Sequence, residues 1–320
     1  MIPQEIRKSH VLVLIVVVFL FIVAVSLHRA DILRYENYFD RDRLGNRPEP
    51  AAKETAPIIT RKIWQIFSTP QDAKEKPPNS IDPKALGDTR SWIGLNPGYQ
   101  YQLLGAGTSS ADEFVTKHFS HDESIMDTYF SLRNPGLKTD LLRYLVLWVE
   151  GGVYADLDTW AIKPVDDWVP EHLRAEGTVR AVIGPEWDQL DSDPWPGFGD
   201  EPSYMTHVVQ FCQWTFAGAA RHPIFENAIR TSVKRIGELA ASKAVSISEL
   251  DPIGYEVVTT TGPSAWTDAV FEELRKADPA FQDLKELSGM TEPRLIGDVL
   301  IDEVNKTRSE HPVVPTTASV

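Results

Sequence analysis

The chain has 320 residues, 42% hydrophobic and 10% aromatic, which is ample material for one large globular core. Its formal net charge of −14 argues against nucleic acid as a partner, because phosphate binding needs clustered Lys and Arg. Cys212 is the only cysteine, which rules out a disulfide framework and a Cys-based metal site.

Residues 1–10 read as a short cytosolic tail carrying Arg7 and Lys8, ahead of an apolar run of 17 residues, Val11 to Leu27. At ~1.5 Å per residue the run spans roughly 26 Å, near the thickness of an early secretory membrane. It reads as an uncleaved signal anchor; a cleaved signal peptide, with Ala24-Val25-Ser26 as its small-residue site, is the alternative. Charge leaves the orientation open, since Arg29, Arg34, Arg41 and Arg43 beyond the run outnumber the basic residues before it. Residues 28–57 are charged and then rich in Pro and Ala, the composition of a stem.

The globular part is expected over residues 58–301. Ile58 to Phe67 supplies a first strand, and Gln100 to Leu104 a second, reached through Ser91-Trp92 and Asn96-Pro-Gly-Tyr99. The densest pattern follows, from Lys138 to Thr159. Thr139 is the expected N-cap of a helix that is apolar almost all round from Leu141 to Val149 and so buried on most sides. Asp140 and Arg143 interrupt that pattern and share one face, being three apart. Gly151-Gly152 ends the helix, Val153 to Ala155 starts a strand, and Asp156 and Asp158 project to one side at its end. Two carboxylates so placed suit a hard divalent cation, although a strand end with solvated acids has the same local pattern. Two other Asp-x-Asp triplets, Asp40-Arg-Asp42 and Asp191-Ser-Asp193, lie in a charged linker and a Pro/Trp-rich loop and read as surface.

Ile162 to Trp168 looks like the same strand turning away at Pro164, and residues 179–184 like another strand. Pro185 to Asp200 is acidic, aromatic and full of breakers: either a binding loop or lid that offers the faces of Trp187, Trp195 and Phe198, or a solvated excursion. Val208 to Phe216 is apolar with Gln210 and Gln213 inside it, amides that need either backbone partners or the hydroxyls of a ligand. Cys212 reads as a small core residue, and His207 and His222 as structural. Helices are expected from Ile224 to Ala241 and, capped by Ser264, to about Ala277. Glu256 to Thr261 reads as a strand, Gly262-Pro263 as the turn after it, and Leu295 to Ile301 as a last strand. Alternation of strand and helix predicts an α/β domain with a mostly parallel sheet covered on both faces. Residues 302–320 read as a polar tail, with a glycosylation sequon at Asn305-Lys-Thr307.

The Asp-x-x-Arg-Tyr helix, Gly-Gly-x-Tyr and Asp-x-Asp-Thr run resembles the signature of the Golgi sugar transferases of glycosyltransferase family 32, over roughly residues 58–301. Gln210-Phe-Cys-Gln-Trp-Thr215 and Thr261-Gly-Pro263 bring it nearest to the fungal initiation-specific α-1,6-mannosyltransferases. The resemblance implies a GT-A-like domain on a lumenal, type II Golgi membrane protein, a retaining transfer from GDP-mannose to an N-glycan, and Mn²⁺ on Asp156 and Asp158. Asp140, Arg143, Gly152, Tyr154 and Gly262 would then line the donor site, and Gln210, Gln213 and Trp214 the acceptor side. An internal ion pair is the other reading of Asp140 and Arg143. A transferase acting on an inositolphosphoceramide headgroup, a weak or inactive member of a Golgi complex, and a Ca²⁺-stabilised binding domain remain alternatives. Two departures stand out. The acid that relatives carry just after the second strand is replaced by Leu104-Gly-Ala-Gly-Thr108, with Asp112 several residues late, and His311 is the sole C-terminal candidate for a third metal ligand.

Overall fold

A computed structural model of the chain describes residues 59–68, 85–190, 204–302 and 307–309. All belong to the unit Ala56–Val320; the unit Met1–Thr55, with the apolar run 11–27 and most of the stem, lies outside the described residues. In chain order the elements are β1 (Lys62–Ser68), α1 (Ala85–Leu95), β2 (Gln100–Ala106), α2 (Ser109–Phe119), α3 (Glu123–Ser131), α4 (Pro135–Glu150) and β3 (Gly152–Ala155). Then come β4 (Thr159–Ala161), α5 (Glu171–Glu176), β5 (Ala181–Ile183), β6 (Pro185–Asp188), β7 (Val209–Phe211) and β8 (Thr215–Gly218). The chain continues with α6 (Pro223–Lys243), α7 (Gly254–Thr260), α8 (Pro263–Ala277), β9 (Arg294–Ile296), β10 (Val299–Ile301) and β11 (Thr307–Ser309).

Seven strands form one sheet in the order β2-β1-β3-β8-β5-β10-β9, in which β8 and β9 run against the other five. The sheet is therefore mostly parallel but mixed. β1 is buried continuously from Ile63 to Ile66 instead of alternating, because apolar side chains pack on both of its faces. On one face lie α4, α6 and α8, whose Tyr144 and Trp266 stack with Phe216 and Phe225. On the other lie Trp92 of α1 and Trp168, edge to face at 6.1 Å. Among the described residues no helix is long and apolar enough to cross a membrane.

α4 is the most buried helix, with Leu137 and Leu141 to Leu147 all enclosed. It begins a turn earlier than the sequence suggests. The Asn134 side chain, not that of Thr139, caps it by accepting from the Leu137 N–H, and Pro135 takes the first position, where no N–H is needed. Gly151 ends it at φ 65°, its N–H donating to the Leu147 carbonyl. Gly152 then sits at φ 106°, and a Cβ there would lie 2.6 Å from the Lys62 carbonyl oxygen of β1. Gly152→Ala should thus cost about 2–4 kcal/mol from backbone strain plus the clash. Thermal denaturation checks this, and an unchanged midpoint would refute it.

Several expectations are corrected. Glu256–Thr261 is not a strand: α7 occupies it, and the Glu256 carboxylate accepts from the Ile253 N–H to close its first turn. The Gly-Pro turn joins two helices, with Gly262 rather than Ser264 at the N-cap of α8. Ile162–Trp168 does not continue β3; β4 leaves the main sheet and pairs with β11. Leu295–Ile301 is two antiparallel strands turning at Gly297, which has φ 61°. The tail after Asp302 is not merely polar, since Thr307–Ser309 supplies the partner of β4. The helices α1, α2 and α3 were not expected at all.

Candidate active site

The first three strands point their carboxyl ends the same way, where ligands gather in open α/β sheets. Asp156 lies one residue past the end of β3, and Asp158 follows in a turn, so the pair is placed by a turn rather than by strand alternation. The Asp156 backbone is pinned on both sides. Its N–H donates to the Trp214 carbonyl at 2.9 Å, and its carbonyl accepts from Gln65 Nε2 at 2.8 Å and Thr159 Oγ1 at 2.6 Å. Gln65 is itself fixed by Thr89 and Tyr101, whose hydroxyls donate to its Oε1.

α4 brings Asp140 and Arg143 to the same place, and both side chains are buried. Arg143 Nη2 meets Asp140 Oδ1 at 2.8 Å, so the internal ion pair forms. Its Nη1 donates to the Gln213 carbonyl at 3.0 Å and faces Asp156 Oδ1 at 3.4 Å, with its guanidinium 4.6 Å above the Tyr154 ring centre. The Tyr154 hydroxyl also donates to Asp156 Oδ1. Asp140 Oδ2 accepts from Thr261 Oγ1 at 2.8 Å. Two atoms are left over. Arg143 Nε is buried without a partner, and Asp156 Oδ2 has no hydrogen bond among the described residues.

The electrostatics follow from this crowding. Burial lifts the Asp156 carboxyl to about 6 despite Arg143, and the negative charge of Asp158 adds to the rise. Burial likewise raises Asp140, against Arg143 and Thr261. For Arg143, burial opposes the charge, but Asp156, Tyr154 and Asp140 outweigh it and hold the pKa above its ordinary value. A site that raises an acid while keeping an exposed second acid, Asp158, beside it favours an added cation. The donor set, Oδ2 of Asp156 and the carboxylate of Asp158, unengaged among the described residues, suits a hard divalent ion completed by water and further oxygen ligands. Among the described residues no group of three or more His, Cys, Asp or Glu could hold a metal, and His311 lies outside them.

The remaining expected residues divide. Tyr154 is in the site, but Gly152 sits at the opposite end of β3, where its conformation serves the packing of β1. Gly262 is required by α7: a Cβ there would be 2.7 Å from the Val258 Cα. Gln213 Nε2 donates to the Tyr144 hydroxyl and the Thr261 carbonyl, and Gln210 Nε2 to Glu186 Oε1, so both amides have protein partners. Trp214 contributes its carbonyl to Asp156. Asp112 stands in α2 with Oδ1 buried and unpartnered, and Cys212 is buried, its thiol pushed up by that burial. His222 caps α6 and bonds Asp298; His207 bridges Thr206 and Asp268.

Glu186 was not singled out by the sequence. Burial raises its carboxyl to about 7, against the Gln210 amide and the Gln213 backbone N–H, with the charge of Asp156 adding to the rise. Between its ordinary value of 4.5 and about 7, folded Glu186 keeps a proton that the unfolded chain releases. Stability from this group therefore falls as pH rises through that window. Glu186→Gln should flatten the fall of the melting temperature between about pH 5 and 7.5; parallel curves for both proteins would contradict this.

Residues 84–175 match the family described as glycosyltransferase sugar-binding region containing a DXD motif. An initiation-specific alpha-1,6-mannosyltransferase of Schizosaccharomyces pombe is 32% identical over 243 residues, covering 76% of this chain and 55% of the relative. The putative glycosyltransferase HOC1 of Saccharomyces cerevisiae is 26% identical over 262 residues, covering 78% and 63%. Inositol phosphoceramide mannosyltransferase 3 of S. pombe is 24% identical over 140 residues, covering 43% and 33%. The chain thus spans 55% to 63% of the first two relatives. Among solved structures, the PaToxG glycosyltransferase matches at a TM-score of 0.43 and 17% identity, over 69% of this chain and 72% of that one.

Proposed function

We propose, for a chain whose residues 84–175 carry the glycosyltransferase sugar-binding region with its DXD motif, that it transfers a hexose from a nucleotide sugar to a glycan. The observation that carries this reading is the convergence of Asp140, Arg143, Tyr154 and Asp156, with Asp158 exposed beside them, at the carboxyl end of the central parallel strands. The finer reading is a GT-A-type mannosyltransferase that uses GDP-mannose, forms an α-1,6 linkage with retention, and acts in the Golgi lumen behind an anchor at residues 11–27. The names of the relatives and the apolar run support it.

In this reading Asp156 and Asp158 hold Mn²⁺, which when bound supplies Lewis-acid neutralisation of the diphosphate charge. The protein's own residues do the rest. Asp140, itself held by Thr261, fixes the buried guanidinium of Arg143 beside Asp156, so its positive charge is in place for an anionic ligand without reorganising. Tyr154, buried beneath the guanidinium, holds Asp156 Oδ1 and so leaves Oδ2 for the cation. A second reading, transfer to an inositolphosphoceramide headgroup, is favoured by the shorter match to that class of enzyme. Purified full chain with GDP-mannose and Mn²⁺, offered a high-mannose oligosaccharide or inositolphosphoceramide, separates the two. No turnover with any nucleotide sugar would refute both.

A further inference from the structure

The register of β6 against β7 pairs Pro185 with Phe211 and Trp187 with Gln210, so Glu186 has no partner residue across the ladder. A β-bulge of this kind re-aims the side chain of its extra residue, and bulges concentrate beside active sites. Here the carboxyl group turns toward the segment between β7 and β8. Its Oε1 accepts from Gln210 Nε2 at 2.9 Å, and the Gln213 backbone N–H stabilises its charged form. That same segment braces the candidate active site: the Gln213 carbonyl accepts from Arg143, and the Trp214 carbonyl accepts from the Asp156 N–H. Glu186 and Arg143 therefore approach the Gln213 residue from its N–H and its carbonyl sides. The bulge is fixed from beneath as well, since the Cys212 N–H donates to the Gly184 carbonyl at 2.7 Å.

Glu186 differs from the other acids of the site in its company. Asp140 and Asp156 each face Arg143, whereas no Lys or Arg forms an ion pair with Glu186 among the described residues. A half-buried carboxyl with only amide partners is costly to keep, so a purely structural role would be served better by glutamine. It is equally unsuited to a diphosphate, which would repel it. Its chemistry fits a neutral polyol, whose hydroxyl hydrogens need an acceptor.

We propose that Glu186 is a substrate-binding residue that accepts a hydrogen bond from a carbohydrate hydroxyl at the reaction centre. This rests on the transferase reading above. The hydroxyl belongs either to the acceptor or to the sugar being transferred, and the two sources give different kinetics.

The test compares full-length wild type and Glu186→Gln by four measurements. These are transfer from GDP-mannose to a high-mannose oligosaccharide, acceptor-free hydrolysis of GDP-mannose, calorimetric binding of GDP with Mn²⁺, and melting temperature at pH 8. The expected result is a loss of about 10²-fold or more in transfer, with GDP affinity within about twofold of wild type and an equal or higher melting temperature. Retained hydrolysis assigns the hydroxyl to the acceptor, and hydrolysis lost in parallel assigns it to the donor sugar. Transfer within about threefold of wild type would overturn the proposal. A joint fall in GDP affinity and melting temperature would overturn it too, marking Glu186 as a strut of the β7–β8 segment. A wild-type chain that neither hydrolyses nor transfers would remove the transferase reading itself and this proposal with it.

Discussion

Asp158→Asn should slow transfer by at least about 10³-fold while leaving the melting temperature within about a degree of wild type. The two halves of that expectation have separate causes. Asp158 is exposed in the turn after β3, and no ion pair or hydrogen bond of its side chain is formed among the described residues. Removing its charge therefore costs no packing and no internal partner. What it removes is one of two carboxylates able to hold a cation, and the remaining Asp156 is already shared with Arg143 and Tyr154. Asp156→Asn is the less informative variant, because it disturbs that network as well. Transfer by the Asp158→Asn protein at the wild-type rate, at limiting and at saturating Mn²⁺, would show that this acid is surface decoration.

Arg143→Ala should be the most destabilising single change in the site, by about 3–5 kcal/mol. Its guanidinium is buried between two carboxylates, so truncation leaves Asp140 enclosed with only the neutral side chains of Thr261 and Gln213 to bond it. At about 2–4 °C per kcal/mol for a domain of this size, the melting temperature should fall by roughly 6–20 °C. The ion pair and a donor-binding role predict different behaviour when both charges are removed. Asp140→Asn combined with Arg143→Met should recover part of the stability, because the most deeply buried unpaired charge is gone and Asp156, partly exposed, keeps its bond from Tyr154, and should recover none of the transfer. A melting temperature for Arg143→Ala within two degrees of wild type would show that the pair is not the buried strut described above.

The stretch from α4 to Asp158 was legible in the sequence because each signal is local. An apolar surface all round means a buried helix, two glycines at positive φ mean a sharp stop, and Asp140 and Arg143, three apart, share a helix face, whereas Asp156 and Asp158 owe their placement to a turn and not to strand alternation. Where the expectations failed, distant residues decide. Val257 to Thr261 is a β-branched run that reads as a strand, yet the close approach of Gly262 to Val257 and Val258 turns the segment into the first half of a helix–helix corner. The antiparallel β8, inserted between β3 and β5, is a matter of long-range pairing that no local period records. Glu186 was missed for the same reason: within an acidic loop it looks like surface, and only the shifted register of β6 against β7 turns it inward. The pairing of Thr307–Ser309 with β4 was likewise invisible in a short polar tail.

If Asp156 and Asp158 bind a nucleotide sugar through a divalent cation, calorimetric titration of GDP-mannose into the full chain will depend on that cation. With Mn²⁺ present, saturable one-site binding is expected; with the metal chelated, affinity should fall by at least about tenfold, and the Asp158→Asn protein should show that weak binding whether or not Mn²⁺ is added. Equal affinity with and without Mn²⁺, unchanged in Asp158→Asn, would show that neither the cation nor Asp158 takes part in donor binding.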